Sequence, residues 1–512
     1  MNINASRRGF LRGLAGTSLF AIGGCKCPFG NTQKIKLAVV GVMGKGYTDW
    51  TTMYRSGLVE VVALCDCDYR TRESAQLQLV KNGIDLDLSR IPFYTDYRRL
   101  LDDCGVLGVE AMTVSTPDHA HAAIAIGAMK QGIHVYVQKP LVRTLWELDY
   151  FRQTAIDNGV ITQMGNQGSA LDSMRRCTEV LQSGLIGEIK EAHVWTNRPV
   201  WPQGIKAAEA TKGAADPVQS GLNWDTWLNV AAKRNFKGAY KPGTKGYDPW
   251  NLCTNVYHAF SWRGFYDFGC GAFGDMACHT MNLAFRGLEL GAVKSAECIK
   301  IDEFNDIAFP MKSIVKMVYA ERESKVRPGV KLPECELYWY DGELRPEALI
   351  MPKVVKTLGK VPNTGCYIIG SKGVVVMVDD YGGKCLLALN DEDKLIDMFE
   401  HEAAKQVPRS IPFRADATNK MEKGPGAAAI SADGHYVEFL QAIRGEGPVF
   451  EDTHSRCFSD IEFSIPIMEG ILVGVTAQRV PGKLNWCSCQ QKFDVAAANE
   501  LIRPYIRKGF EF

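Results

Sequence analysis

The sequence has almost no net charge: 59 Lys and Arg stand against 58 Asp and Glu, leaving +1 with histidine neutral. Such a chain has no long-range field to draw nucleic acid. No basic run interleaved with aromatics supplies one locally. Past residue 30 no apolar stretch approaches the ~20 residues of a membrane span. Cysteine is thinly spread, with 16 in 512 residues, which is too sparse for a disulfide scaffold. Three C-x-C pairs occur, Cys25/Cys27, Cys65/Cys67 and Cys487/Cys489, but none has a second pair or histidines at zinc spacing. Structural zinc is therefore not expected, and no metal site is assigned. Cysteines in apolar contexts, such as Cys270 and Cys278, read as buried small hydrophobes. No internal repeat is apparent.

What is present begins with an unusual N-terminus. Residues 6–11 read SRRGFL, the pattern of a twin-arginine export signal. A weakly apolar segment, 14–22, follows, and then Ile22-Gly23-Gly24-Cys25, a lipoprotein cleavage box with Cys25 as the lipidated residue. The plain alternative is an amphipathic tail with incidental arginines. The expectation is export, a periplasmic or membrane-anchored protein, and membrane contact only through Cys25. Residues 26–34 read as a tether, and 1–34 are set apart from the fold.

From residue 35 apolar strands alternate with helical stretches. Residues 37–40 (LAVV) form a short β-branched run, followed by Gly41, Gly44 and Gly46. A strand, a glycine-rich turn and a helix bring backbone N–H groups against a pyrophosphate. The usual spacing is G-x-G-x-x-G, and Met43 occupies the middle glycine position. A second strand over 59–65 ends at Asp66, 25 residues after Gly41. An acid there suits a ribose 2′-OH and repels a 2′-phosphate, favouring NAD over NADP; otherwise it is a surface turn acid. Further strands are expected over 110–114 and 133–137. The first runs into Thr116-Pro117-Asp118-His119-Ala120-His121 and a helix over 122–131. The second runs into Gln138-Lys139-Pro140. This order implies a parallel sheet covered by helices, with its ligand crevice beyond the strand C-ends.

After residue 160 strand-like alternation, as in 189–196, and long loops over 199–246 imply an α+β second domain. Six of the ten tryptophans lie between Trp195 and Trp262. Aromatic faces stack on sugar rings, so this region suits carbohydrate, although any single tryptophan is more readily a core or interface residue. Residues 424–429 read as a loop, 436–443 as a helix, and 493–512 as a helix with a charged tail.

Two candidates carry chemistry. Lys139, at a strand end beside a proline, can orient a hydroxyl or act as acid/base; the alternative is a solvated loop lysine. Asp275 and His279 are four apart, so on a helix they share a face. His279 can take a hydroxyl proton, and Asp275 can fix its tautomer or bind another hydroxyl. The alternative is a helix-surface pair or a satisfied core histidine.

With these residues in hand, the chain resembles the Gfo/Idh/MocA family, named for glucose–fructose oxidoreductase and inositol dehydrogenase, in its exported branch. The matching stretches include VVGVMGKG, STPDHAH, VQKPL, TQMGNQGS, FSWRGFYDFGCGAFGDMACH and the C-terminal tail. The resemblance implies a Rossmann domain over 35–160. It also implies a substrate and oligomerisation domain over 161–512, built on an open, mostly antiparallel mixed sheet, with C-terminal helices packing back on the first domain. It makes Lys139, His279 and Asp275 catalytic. It places the cofactor against Gly41, Met43, Gly44, Lys45, Gly46, Asp66, Thr116, Pro117, His119, His121, Gln138, Lys139, Asn166 and Gln167. Two departures stand out: Met43 for a glycine, and Gln138 where many members have glutamate. The expected function is NAD-dependent oxidation of a secondary hydroxyl of a sugar or glycoside, with the cofactor loaded before export and tightly held. The alternatives are an NAD-dependent glycosidase working by transient oxidation and a non-catalytic, lipid-anchored sugar binder. A homo-oligomer is implied by the resemblance alone.

Overall fold

The computed structural model describes residues 33–238, 255–413, 421–424, 427–430, 433–450 and 454–512. The export motif, the cleavage box with Cys25, and Trp250 lie outside the described residues. Residues 34–512 form one compact unit holding two large sheets.

The first sheet is parallel and six-stranded, comprising β1 (Ile35–Val40), β2 (Val59–Cys65), β3 (Phe93–Tyr94), β4 (Ala111–Val114), β5 (His134–Val137) and β6 (Thr162–Met164). Its order is β3-β2-β1-β4-β5-β6. This is the doubly wound order of dinucleotide-binding domains, with a switch point between β1 and β4. Side chains alternate along each strand. Ile35, Leu37 and Val39 join one apolar cluster, while Ala38 and Val40 join the other. Both faces are buried, which explains why these strands read as continuous apolar runs.

The second sheet has ten strands. They are β7 (Ile189–Trp195), β8 (Val293–Ile301), β9 (Ser313–Tyr319), β12 (Cys335–Tyr340), β13 (Gly365–Gly370), β14 (Gly373–Met377), β15 (Cys385–Leu389), β16 (Ile396–Asp397), β19 (Lys483–Cys487) and β20 (Lys492–Phe493). The intervening numbers belong to two hairpins, β10–β11 (Arg322–Glu323 and Lys331–Leu332) and β17–β18 (Met421–Gly424 and Ala427–Ile430). Within the large sheet β7 and β12 run parallel and the remaining pairings are antiparallel. The fold is thus the expected α/β combination. The stretch read as a loop at 424–429 instead contributes to β17 and β18. The tail read as a helix keeps one short turn, Ala496–Asn499.

Two C-terminal helices join the halves. Ile461–Ala477 packs on the helix Leu145–Asn158, on Gly271–Thr280 and on β8. Asp433–Ile443 packs on the helix Lys45–Arg55. Tyr436, Phe439, Leu440 and Cys457 belong to the same apolar cluster as β1. The nucleotide-binding sheet is therefore closed on one face by chain that lies nearly three hundred residues downstream. The first sheet runs past residue 160 to include β6, and the core is shared between the two sheets. Among the described residues no helix is long and apolar enough to cross a membrane.

Candidate active site

The strand C-ends open on a cavity of about 890 Å³. At one end lies the glycine turn. Gly41 has φ +88°, and a Cβ there would sit 2.3 Å from the Ser115 carbonyl oxygen. A Cβ on Gly46 would sit 2.0 Å from the Gly41 carbonyl oxygen. These two glycines let the turn, the β4 end and the next helix close on one another. Met43 does not have a positive φ, so a side chain there is unstrained. Gly44 caps Lys45–Arg55 without a side-chain bond, leaving first-turn N–H groups available to an anion. That is the requirement of a pyrophosphate.

Asp66 lines the next wall. Its carboxylate accepts the N–H groups of Val42 and Asp68, both at 3.0 Å. Burial raises its pKa, against those two hydrogen bonds. The nearby Arg70 is already paired with Asp68 and with Gln219. A 2′-phosphate would thus meet carboxylates and an engaged arginine, which fits NAD better than NADP.

Gly41, Met43, Gly44, Lys45, Asp66, Thr116, Pro117, Gln138, Lys139 and Gln167 all line the cavity, as do Asp275 and His279. The Gln167 Oε1 is buried without a partner, a polar atom suited to a bound cofactor. Gly46, His119, His121 and Asn166 do not line it. Gly46 backs the turn. His119 is buried, with Nε2 2.9 Å from the Trp227 carbonyl oxygen. His121 lies behind the wall, its ring nitrogens 2.8 Å from the carbonyl oxygens of Pro140 and Thr116. A neutral imidazole donates to only one of these, and burial pushes its pKa down to about 4. His121 therefore braces the Thr116 and Pro140 turns rather than meeting a ligand. Asn166 is wholly buried below the cavity floor, both side-chain polar atoms unpartnered.

At the far end Lys139 Nζ donates to Asp275 Oδ1 at 2.9 Å and to the Asp275 carbonyl oxygen at 3.0 Å. Arg263 Nε donates to the same Oδ1 at 3.0 Å. Burial alone would raise the Asp275 carboxyl, but Lys139 and Arg263 more than offset it and hold it well below the usual range. Asp275 and His279 do share a helix, Gly271–Thr280, yet Asp275 serves Lys139 and Arg263, not the imidazole. The expectation that Asp275 fixes the His279 tautomer is thereby corrected: two cations compete more strongly for a carboxylate than a neutral ring does. His279 packs edge-on against Tyr381 with ring centroids 4.7 Å apart. Its Nδ1 is buried and unpartnered. Burial, then the Lys139 charge, push its pKa well below 6.5, so the ring is neutral at pH 7.

Sequence reading missed several wall residues. Asp118 is buried and lines the cavity; burial and then the Asp275 charge, opposed by Arg263 and Lys139, push its carboxyl up to about 8. Arg198, Phe260 and Tyr381 line the cavity too, together with Trp201 and Trp262 from the tryptophan-rich stretch expected to suit carbohydrate. The Arg263 guanidinium lies 4.3 Å from the ring centroids of both Phe260 and Trp262. No local spacing marks these positions. Behind the glycine turn Asp49 is also unforeseen. It accepts from Tyr436 Oη at 2.7 Å, Ser115 Oγ at 2.8 Å and Gln138 Nε2 at 2.8 Å, and pairs with Lys45. Lys45 also donates to Tyr436 Oη at 2.7 Å. Among the described residues no cluster of three or more His, Cys, Asp or Glu is placed to hold a metal.

Residues 35–166 match the family model for the oxidoreductase family GFO_IDH_MocA, NAD-binding Rossmann fold. Glycosyl hydrolase family 109 protein 2 of Akkermansia muciniphila is 34% identical over 135 residues, covering 25% of this chain and 26% of that protein. Inositol 2-dehydrogenase of Salmonella typhimurium is 27% identical over 163 residues, covering 32% and 45%. The chain spans about a quarter of the length of the first curated relatives it matches. The likeness in structure is broader. The inositol dehydrogenase homologue of Azotobacter vinelandii, solved with NADH and myo-inositol, superposes with TM-score 0.55 at 17% identity, covering 89% of this chain and 98% of that one. At that identity the likeness is one of fold. Residues 35–166, with the glycine turn and Asp66 in place, thus carry the NAD-binding Rossmann fold of the GFO_IDH_MocA oxidoreductase family.

Proposed function

We propose that the protein is an NAD-dependent oxidoreductase acting on a secondary hydroxyl of a sugar or glycoside. One observation carries this: Lys139 and His279 face the same cavity as the Gly41 turn and Asp66. When bound, the nicotinamide supplies a hydride acceptor. Lys139 spends two of its three N–H bonds on Asp275, leaving one to donate to a substrate oxygen. His279, kept neutral by burial, accepts the hydroxyl proton. Asp275 holds the ammonium in place. Trp201, Phe260, Trp262 and Tyr381 give the cavity aromatic walls suited to a sugar ring.

The similarity to a glycosyl hydrolase family 109 protein supports a second reading, redox-neutral glycoside hydrolysis. Transient oxidation of the substrate acidifies a neighbouring C–H, permits loss of the aglycone, and is reversed after water adds. The same lysine and histidine serve both. Export by the twin-arginine route and lipidation at Cys25 belong to this proposal, supported by the N-terminal motifs. They favour a cofactor loaded early and recycled in place.

The test is to purify the protein, read its absorbance for bound nicotinamide, and incubate it with glycosides. A keto-sugar with reduced cofactor supports the dehydrogenase; free sugar without net reduction supports the glycosidase. Lys139→Ala should keep the nucleotide and lose ~10²–10⁴-fold in turnover. Absence of nucleotide together with unchanged turnover in Lys139→Ala would sink both readings.

A further inference from the structure

The C-x-C pair Cys487/Cys489 is far from zinc spacing and plays no part in the cavity. It sits where β19 turns into β20, at the edge of the ten-stranded sheet. The two Sγ atoms are 3.0 Å apart. The turn holding them is tied down on both sides. Glu469, on the helix Ile461–Ala477, accepts from Trp486 Nε1 at 3.1 Å and from Ser488 Oγ at 3.0 Å. One carboxylate thus anchors the residue before the pair and the residue within it. The Gln490 N–H closes on the Cys487 carbonyl oxygen at 3.1 Å, and Gln491 Nε2 donates to the Ser488 carbonyl oxygen at 2.8 Å. Trp486 packs on Phe493 across the hairpin with ring centroids 4.6 Å apart.

Most other described cysteines are buried, and Cys67 and Cys298 are partly so. Burial pushes the thiols of Cys65, Cys104, Cys270, Cys278 and Cys335 up, away from reactivity. Cys489 is exposed and Cys487 half-buried. The Cys489 thiol, then the Gln490 N–H, lower the pKa of Cys487. The pair therefore combines proximity, a fixed backbone, solvent access and a favoured thiolate.

We propose that Cys487 and Cys489 form a reversible dithiol–disulfide site that exchanges with small-molecule disulfides of the glutathione type. The Cys487 thiolate attacks one sulfur of the external disulfide; a mixed disulfide forms and one small thiolate leaves. Cys489 then loses its proton to solvent and attacks the Cys487 sulfur, releasing the second thiolate. The two cysteines are oxidised by two electrons, and the external disulfide is reduced to two thiols.

The folded full-length protein is incubated with oxidised glutathione, alkylated and digested with trypsin, and peptide 484–492 (LNWCSCQQK) is weighed. The expected result is loss of two hydrogens and of both alkyl groups, reversed by reduced glutathione. C489S should trap glutathione on Cys487. Closure should be faster in the folded chain than in the chain unfolded in urea, since the hairpin holds the thiols together. Wild type that keeps both thiols alkylatable, or stops at the mixed disulfide, overturns the proposal. Equal closure rates in folded and unfolded chain overturn it as well.

Discussion

His279 is where burial decides chemistry. A histidine in water changes charge near pH 6.5, yet here desolvation, then the Lys139 ammonium, keep the ring neutral to lower pH. If it is the proton acceptor, kcat/KM holds steady from pH 8 down through 6.5, because its acid limb lies lower. A pH–rate profile with glycoside held well below KM checks this; a half-loss at pH 6.5 would show that another group accepts the proton. Gln138 poses the converse question. Its amide donates to the buried Asp49 carboxylate, so a glutamate at 138 would set two carboxyls together. Gln138→Glu should cost about 1–3 kcal/mol at neutral pH. The new carboxyl would have a folded pKa raised above its unfolded value. The penalty should therefore appear above pH ~4.3 and vanish below it, as read from Tm against pH. The missing family glutamate was visible in the sequence, but its cause was not. Asp49 lies four residues past Lys45 in an ordinary helix, and only the folded chain brings Ser115, Gln138 and Tyr436 onto it. Asp275 shows the same limit. Helical spacing put it beside His279, but spacing says nothing of a lysine 136 residues away.

At the scale of elements, strands were legible and turns partly so. β1, buried on both faces, and β2, buried apart from Glu60 and Val62, form apolar runs bounded by Gly41 and Asp66, and local pattern suffices to see them. The β17–β18 hairpin escaped because glycine and alanine lack strand character, and its pairing is made by the backbone. The glycine turn is the element whose detail matters most. Gly41→Ala would drive a methyl into the Ser115 backbone at a φ that disfavours side chains. Loss of at least ~1–3 kcal/mol and of retained nucleotide is expected. Thermal melting and the absorbance of the purified protein measure both. Met43→Gly, by contrast, should leave nucleotide retention unchanged, since Met43 lies outside the positive-φ positions.

For the whole molecule, the two-domain description is a statement about sheets and not about folding units. One core cluster runs from β1 through the helix Ile461–Ala477 into the ten-stranded sheet, and the other closes β1 with Tyr436, Phe439 and Leu440. A fragment of residues 35–166 should therefore fail to bind NAD or to melt cooperatively, whereas a typical two-layer domain of that length would do both. Circular dichroism and nucleotide titration decide it. The tie between Lys45, Asp49 and Tyr436 also has a consequence for synthesis. Translated at about 5–20 residues per second, the stretch between residues 166 and 457 takes roughly 15–60 s to leave the ribosome. For that interval the glycine turn exists without its backing. Nucleotide capture then certifies a finished polypeptide, and a stalled or truncated product emerges empty.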